Sequence, residues 1–306
     1  MRYPQQQGMA LVMVLLLVAM ATTLAVFMAQ QQAFWQRMLE NDRERAQARR
    51  IAEAGVDWAR AVLADDASVS RQYDHGKEMW AMRLPAVQLE GGEVRGAILD
   101  QQGLFNLNNL VRNGVPHTAD IARYRRLLDT LGLPQDLAAT LADWLDTNGE
   151  TAANGAEDGY YLALEKPYRC ANRLLSDIGE LAWVKGYDAG VIQRLRPYVS
   201  VLPESNTALN VNFALPEVLH ATIQGLGLQD ARRIAQKIEA EPYKNIMDFM
   251  QQLPRGVIQD GSLNLSVHSK YFMVTGYAIQ GDGAATVHAL LKRDSNWAVQ
   301  VRKELQ

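Results

Sequence analysis

Between Leu127 and Glu165 the chain places eight Asp and Glu residues and no Lys or His, and no Arg follows Arg126 there. The centre of this stretch runs Asp143-Trp-Leu-Asp146-Thr-Asn148-Gly-Glu150-Thr-Ala-Ala-Asn154-Gly-Ala-Glu157-Asp158-Gly-Tyr-Tyr161. Hard divalent cations such as calcium take six to eight oxygen ligands, several of them carboxylate. Asp146, Asn148 and Glu150 alternate at i, i+2 and i+4, and Glu157 stands eleven residues after Asp146. That spacing is close to an EF-hand loop. Thr151 occupies the place of its glycine, however, and no obvious helix opens after Glu157. The residues read as a calcium loop of another kind, with a solvated acidic turn as the alternative. Mutual repulsion among these carboxylates favours the cation. Trp144, Tyr160 and Tyr161 flank the loop, either as a cover for it or as plain core.

Other chemistry finds little support. The five histidines, His75, His117, His220, His268 and His288, are scattered, with no His-Glu-x-x-His pair and no Gly-x-Ser-x-Gly elbow. Cys170 is the single cysteine, so there is no intramolecular disulfide, and it reads as a small buried apolar residue. Nothing points to an enzyme. The net charge of -3 carries no basic excess for a polyanion.

The loop must be held by helices. From about 104 to 258 the pattern is helical: Ile121–Leu131, Gln135–Leu145, Leu174–Val184, Ala189–Leu195, Leu215–Ile223, Asp230–Ala240 and Ile246–Gln252. This region repeats itself weakly. Phe105-Asn-Leu-Asn-Asn-Leu110 resembles Leu209-Asn-Val-Asn-Phe-Ala214, and Leu131-Gly-Leu-Pro-Gln-Asp136 resembles Leu226-Gly-Leu-Gln-Asp230. The second copy, Asn210 to Phe249, looks like a helix-hairpin-helix unit. Residues 205–253 hold four Lys and Arg against five Asp and Glu, the wrong balance for tracking phosphates. A helical packing module is expected, and no nucleic acid.

Strand signals flank the helical region. Val87–Leu89 and Glu93–Asp100 surround a Gly91-Gly92 turn. Lys270–Gln280 and Ala284–Arg293 form a hairpin around Gly281-Asp282-Gly283, followed by a short strand at Trp297–Arg302. Before them a helix is expected from Met9 to about Ala64. Its sparse apolar set, Phe34, Met38, Ile51, Val56, Ala59 and Leu63, suits an upper half leaning on a domain.

The first third of that helix is apolar. No charge appears between Arg2 and Arg37, and Met9–Ala29 is long enough to cross a hydrocarbon core at about 1.5 Å per residue. A secretory signal peptide would be shorter and would carry a cleavage site behind the apolar run. A plain signal anchor fits the length. A prepilin leader also fits, because Gly8 stands directly before the run. Counting Arg37, Arg43, Arg45, Arg49 and Arg50 beyond the span against Arg2 before it places the body in the cytoplasm.

Taken together, the motifs resemble one family, the K-type minor pseudopilins of type II secretion systems. They are Gln7-Gly-Met-Ala-Leu11, Arg49-Arg-Ile-Ala-Glu-Ala-Gly55, Gly103-Leu-Phe-Asn-Leu-Asn108, Leu141-Ala-Asp-Trp-Leu-Asp146, Gly155-Ala-Glu-Asp-Gly-Tyr-Tyr161, Asn172-Arg-Leu-Leu-Ser-Asp-Ile-Gly-Glu-Leu181 and Leu209-Asn-Val-Asn212. The resemblance implies an α+β fold, in which a pilin-like long N-terminal helix packs on a small antiparallel sheet and a large all-helical domain is inserted in the sheet. The expected divisions are a leader at 1–8, a transmembrane helix at 9–29, the first part of the body at 30–103, the inserted domain at 104–258 and the C-terminal strands at 259–306. It also reverses the orientation from the charge count and puts the body in the periplasm, tethered to the inner membrane.

The implied role is a subunit at the tip of a short periplasmic pseudopilus. There it forms a capping complex with I- and J-type minor pseudopilins and helps export folded proteins, with contacts to secreted cargo and the outer-membrane secretin. Prepilin peptidase would cut between Gly8 and Met9, and Met9 could then be N-methylated. Calcium in the helical domain is a family feature that maps onto Asp146, Asn148, Glu157 and Asp158, with Glu150 a further candidate. Met13, fifth after the cut, replaces the glutamate of most pilins, which neutralises a neighbour's ammonium in the membrane. A subunit with nothing above it does not need that carboxylate. The leader departs from the family pattern, with Arg2 alone and glutamines where basic residues are common. Two rival functions are a minor pilin of a type IV pilus, for adhesion or DNA uptake, and a membrane-anchored nucleic-acid receptor.

Overall fold

A computed structural model describes residues 7–69, 73–82, 85–257, 263–294 and 297–305. Residues 1–6 of the leader lie outside the described residues. Helix α1 runs unbroken through Gln7–Val69, 63 residues. It contains no proline, and good helix formers such as Ala, Leu, Gln, Arg and Glu dominate it. It extends five residues past the expected end. From Met9 to Arg43 every side chain is exposed, and the first buried one is Ala48. β1 (Val87–Leu89) and β2 (Gly92–Asp100) follow, turning through Gly91 at φ +78°.

The inserted region contains short strands and helices. In chain order they are β3 (Phe105–Asn106), β4 (Val111–Arg112), β5 (Val115–Pro116), α2 (Thr118–Thr130), α3 (Leu137–Leu145), α4 (Asp158–Tyr161) and α5 (Ala189–Leu195). After them come β6 (Val199–Ser200), β7 (Leu209–Asn210), α6 (Pro216–Thr222), α7 (Leu228–Ala240), α8 (Ile246–Gln251) and β8 (Leu265–Ser266). The chain then returns to the first sheet with β9 (Tyr271–Gln280), β10 (Gly283–Asp294) and β11 (Trp297–Leu305).

That sheet is antiparallel throughout, in the order β1-β2-β9-β10-β11. Its central strand β9 pairs with β2 from Asp100↔Phe272 to Gly92↔Gln280, so sequence-remote strands close around the insertion. α1 lies on one face. Its buried stripe is Ala48, Ala52, Val56, Ala59 and Leu63, spaced at helical period, against Phe272, Val274, Ala278, Val287, Ala289 and Leu291. Of the apolar set read from the sequence, Val56, Ala59 and Leu63 enter this core, whereas Phe34 and Met38 remain exposed. Alanines serve in the stripe because the backbones approach closely. A Cβ on Gly276 would stand 2.6 Å from the Ala52 carbonyl oxygen.

The insertion has its own core, built on Leu107, Leu110, Tyr124, Leu127, Leu141, Leu145, Val218, Leu219 and Phe249 among others. Its internal repeat is structural. In the first copy Asn106 Oδ1 accepts from the Asn108 N–H at 3.1 Å. The Asn108 side chain then donates to the carbonyls of Leu175 (3.0 Å) and Leu202 (2.7 Å) and accepts from the Leu175 N–H at 2.9 Å. In the second copy Asn210 Oδ1 accepts from the Asn212 N–H at 3.0 Å. Asn212 donates to the carbonyls of Tyr243 (2.9 Å) and Asp74 (3.1 Å) and accepts from the Tyr243 N–H at 2.9 Å.

This tie corrects one expectation. Leu174–Val184 is not an α-helix. Asn108 holds the Leu175 backbone, Asp177 accepts from the Gly179 N–H, and only Ile178–Trp183 coils, as a 3-10 helix. Asn108→Ala is therefore expected to destabilise by about 3 kcal/mol or more, because it strands three buried backbone groups. Urea unfolding of a form lacking residues 1–30 measures it; a loss under about 1 kcal/mol would mean that water replaces the side chain.

Candidate metal centre

α3 is buried along its whole length, so its last turn delivers Asp143 and Asp146 from the core to the loop that follows. Asp143 Oδ2 accepts from the N–H groups of Ala152 (3.1 Å) and Ala156 (2.9 Å) and closes the loop on itself. Gly155 passes so close that a Cβ there would overlap Asp143 Oδ2, which explains the glycine. Asp146 Oδ1 accepts from the Asn148 N–H at 3.0 Å, and Asn148 Oδ1 accepts from the Glu150 N–H at 2.6 Å. The i, i+2, i+4 spacing thus forms two successive Asx turns. Asn148 and Glu150 are exposed, whereas Asp146 is buried.

Glu157 is only 3% exposed, and neither of its carboxylate oxygens has a hydrogen-bond partner. Next to it Asp158 opens α4, a short helix where none was expected. The Glu157 carbonyl accepts from the N–H groups of Tyr160 (2.8 Å) and Tyr161 (3.2 Å), and Tyr161 is drawn fully into the core. Asp158 Oδ1 accepts from the Cys170 N–H at 2.8 Å, and Arg169 approaches Asp158 at 3.7 Å.

Crowded burial leaves these acids short of stabilisation. Burial, then the neighbouring Asp143 charge, pushes Asp146 up to about 6, against the pull of the Asn148 amide. Burial raises Glu157 against the pull of the nearby Cys170 thiol, and the charges of Asp146, Asp143 and Asp158 raise it further. Asp143 is raised by burial despite its two amide donors. Two unpartnered carboxylate oxygens buried among other acids are a costly arrangement without a cation. The donor set is all oxygen, which suits a hard divalent ion. Asp143 was not among the ligand candidates read from the sequence. Its signal was the one-turn spacing before Asp146 together with the glycine twelve residues on.

The aromatic residues belong mainly to the core. Trp144 and Tyr161 are buried edge to face with centroids 5.0 Å apart, and Tyr160 is exposed beneath the Lys185 ammonium at 4.8 Å. Cys170 is buried, and burial pushes its thiol up to about 12, as an inert core residue. The helix-hairpin-helix segment forms α6 and α7 around Gly225 at φ +87°, with Ala231, Ile234 and Ile238 turned inward.

A second acidic group was not foreseen. Carboxylate oxygens of Asp66, Asp74 and Glu78 lie within 4.8 Å of one another, and among the described residues no three of the loop acids do so. Here a cation is already supplied: Arg293 reaches Asp66 at 2.8 Å and Asp74 at 2.5 Å. At the other end of the molecule Gly8 lies within α1, and Met9 and Met13 are exposed on it.

A helix with an unburied first third, long and apolar enough to cross a membrane, lying on an antiparallel sheet that is interrupted by a helical domain, defines a pilin-like subunit. Family models described as Type II secretion system (T2SS), protein K match residues 103–204 and 209–268, and one described as PilX N-terminal matches residues 7–57. The chain is 34% identical to Type II secretion system protein K of Pseudomonas aeruginosa, over 97% of this chain and 91% of that one. It is 32% identical to the Klebsiella pneumoniae protein of the same name, over 94% and 93% of the two chains. The chain belongs to the type II secretion system protein K family. A chain from the solved GspK-GspI-GspJ complex of enterotoxigenic Escherichia coli shares the fold, with a TM-score of 0.78 at 24% identity, covering 88% of this chain and 99% of that one.

Proposed function

We propose that this chain is a minor pseudopilin that caps the tip of a periplasmic pseudopilus together with I- and J-type partners. The observation that carries the reading is α1. From Met9 to Arg43 every side chain is exposed, its first part is apolar enough to span a bilayer, and it is continuous with a helix packed on a pilin-like sheet. The relative solved as a GspK-GspI-GspJ complex supports the choice of partners. The role is structural, not catalytic: the chain anchors in the inner membrane, its body faces the periplasm, and its helical domain shapes the tip near the secretin and cargo.

Calcium would sit at the acidic loop, held by Asp146, Glu157 and Asp158 with Asn148 and Glu150 at the exposed side. It would stabilise the loop by neutralising the buried carboxylates. Prepilin peptidase would remove residues 1–8, leaving Met9 as a free or methylated amine. Intact-mass analysis of chain purified with and without the peptidase tests this, and loss of residues 1–8 only with the peptidase is expected. An uncleaved chain in both would make residues 9–29 a plain anchor and remove the argument from Met13. The PilX-like N-terminal match keeps a second reading, a minor pilin of a type IV pilus. Deletion that blocks attachment yet spares protein secretion would favour it.

A further inference from the structure

Four large apolar side chains stand exposed on α1 between the span and the sheet: Phe34 (65%), Trp35 (54%), Met38 (46%) and Leu39 (67%). The Phe34 and Trp35 rings meet edge to face at 6.3 Å. They lie below the sheet, since α1 is first touched by the body at Glu44, which accepts from the Asp282 N–H at 2.8 Å. Among the described residues, none covers them.

Their height along the helix is informative. From Met9 to Trp35 is about 39 Å at the helical rise. A bilayer is roughly 40–45 Å thick including its headgroup layers, of which the hydrocarbon takes about 30 Å. With Met9 at one headgroup layer, Trp35 falls in the other. Gln30, Gln31 and Gln32, polar but uncharged, then fall at the edge of the hydrocarbon, and Arg37, the first charge after Arg2, falls in water. Phe27, Gln31, Phe34, Trp35 and Met38 share one side of the helix by i, i+3 and i+4 spacing. The belt therefore continues the lipid-facing surface of the span. Indole rings prefer this layer because one edge is apolar and the N–H is polar.

We infer that Phe34 and Trp35, extended by Met38 and Leu39, form an interfacial belt that seats α1 in the lipid headgroup layer on the body side and fixes how deep the subunit sits. The inference rests on residues 9–29 spanning the membrane. The body then begins about 14 Å above the belt, nine residues along α1. Assembly into a fibre would have to strip the belt from lipid as well as the span.

The experiment uses the full chain in vesicles of phosphatidylethanolamine and phosphatidylglycerol, with bromine at a shallow or a deep acyl position. The chain has six tryptophans, so the Trp35 signal is the difference between wild type and Trp35→Phe. The expected result is a blue-shifted Trp35 component, quenched more by shallow than by deep bromine and shielded from aqueous iodide. Free quenching by iodide with none by either bromolipid would overturn the belt. Shielding that appears only at high protein-to-lipid ratio would overturn it too, in favour of cover by a second copy. Release of the chain from vesicles by alkaline carbonate would overturn the span reading along with the belt; retention with an iodide-accessible Trp35 would overturn the belt alone.

Discussion

Calcium is expected to raise the melting temperature of the periplasmic body by about 5–10 °C, and Glu157→Gln is expected to abolish that rise. A ligand at a hundredfold excess over its Kd stabilises by about 2.7 kcal/mol, and each kcal/mol moves a domain of this size by roughly 2–4 °C. In chelator the sign reverses. Glu157 is then a buried carboxylate with two unpartnered oxygens beside Asp143 and Asp146, so the neutral amide should melt at or above wild type. This crossing separates a metal ligand from an ordinary structural acid, which would destabilise in both conditions. The pH dependence follows from Asp146. Its folded-state value of about 6 lies above the ordinary carboxylate value, so its proton contributes stability below about pH 4 that is lost as pH rises through 6. Metal-free protein should therefore weaken across that window. The calcium increment should be largest above about pH 6, where the ligand is ionised, and should shrink below it. Melting curves with calcium and with chelator, at pH 5 and pH 7.5, read all of this. Equal wild-type melting with and without calcium at pH 7.5 would reduce the loop to an acidic turn.

What could be read ahead of the structure follows from how local each signal is. α1 was legible because 63 residues without proline, apolar first and then charged, leave no other regular structure open. The β9–β10 hairpin was legible because Gly281-Asp282-Gly283 sits between two alternating runs, and its strands pair from Gly283↔Gln280 onward. The closeness of that turn to α1 was not legible. The Glu44 carboxylate caps the Asp282 N–H from 238 residues away. The parallel pairs β3–β6 and β7–β8 are two residues long, too short for any period, and they depend on asparagines reaching across the fold. The same asparagines draw the Leu175 and Tyr243 backbones inward, which defeated the helix expected over Leu174–Val184. In the acidic loop, composition gave a segment whose acids the structure gathers around the end of α3. It did not give Asp143 as the organiser, because a carboxylate that binds two amides looks the same in sequence as one that binds solvent. The Asp66–Asp74 pairing left no local trace, since Arg293, which bridges the two, is more than 200 residues away.

That junction gives the other large effect. Arg293→Met is expected to cost about 3–5 kcal/mol, the usual penalty for leaving buried charges without their partner. The guanidinium bridges Asp66, on the last turns of α1, to Asp74 and donates to the Ser269 carbonyl at 3.0 Å. Asp74 in turn accepts from the Ser269 N–H at 2.6 Å, its N–H donates to Val267, and its carbonyl accepts from Asn212. One arginine thus ties the end of α1 and β10 to the Asp74 segment, and the Asp74 carbonyl takes the Asn212 side chain of the inserted domain. It faces more acid than it can neutralise. Burial pushes Glu78 up to about 7 against the His75 N–H and Trp80 indole, burial likewise pushes the neighbouring Asp100 up to about 7, and Asp66 is raised too. All three folded-state values lie above the ordinary carboxylate range. For Glu78 and Asp100 the contribution is therefore fully present below about pH 4 and is lost as pH rises to about 7, by up to about 1.4 kcal/mol per pH unit for each group that holds its proton. With calcium in excess, so that the loop acids stay ionised, wild-type stability should fall from pH 5 to pH 7, and Glu78→Gln should flatten the fall. Arg293→Met should steepen it, because Asp66, already raised by burial, would lose the guanidinium charge that holds it down. Restoring neutrality with Asp66→Asn and Asp74→Asn should recover part of the loss. Urea unfolding across this range decides the matter: a pH-independent loss in Arg293→Met, unrelieved by the asparagines, would mean that the arginine acts through its packing on the Phe272 ring, 4.7 Å away, and not through its charge.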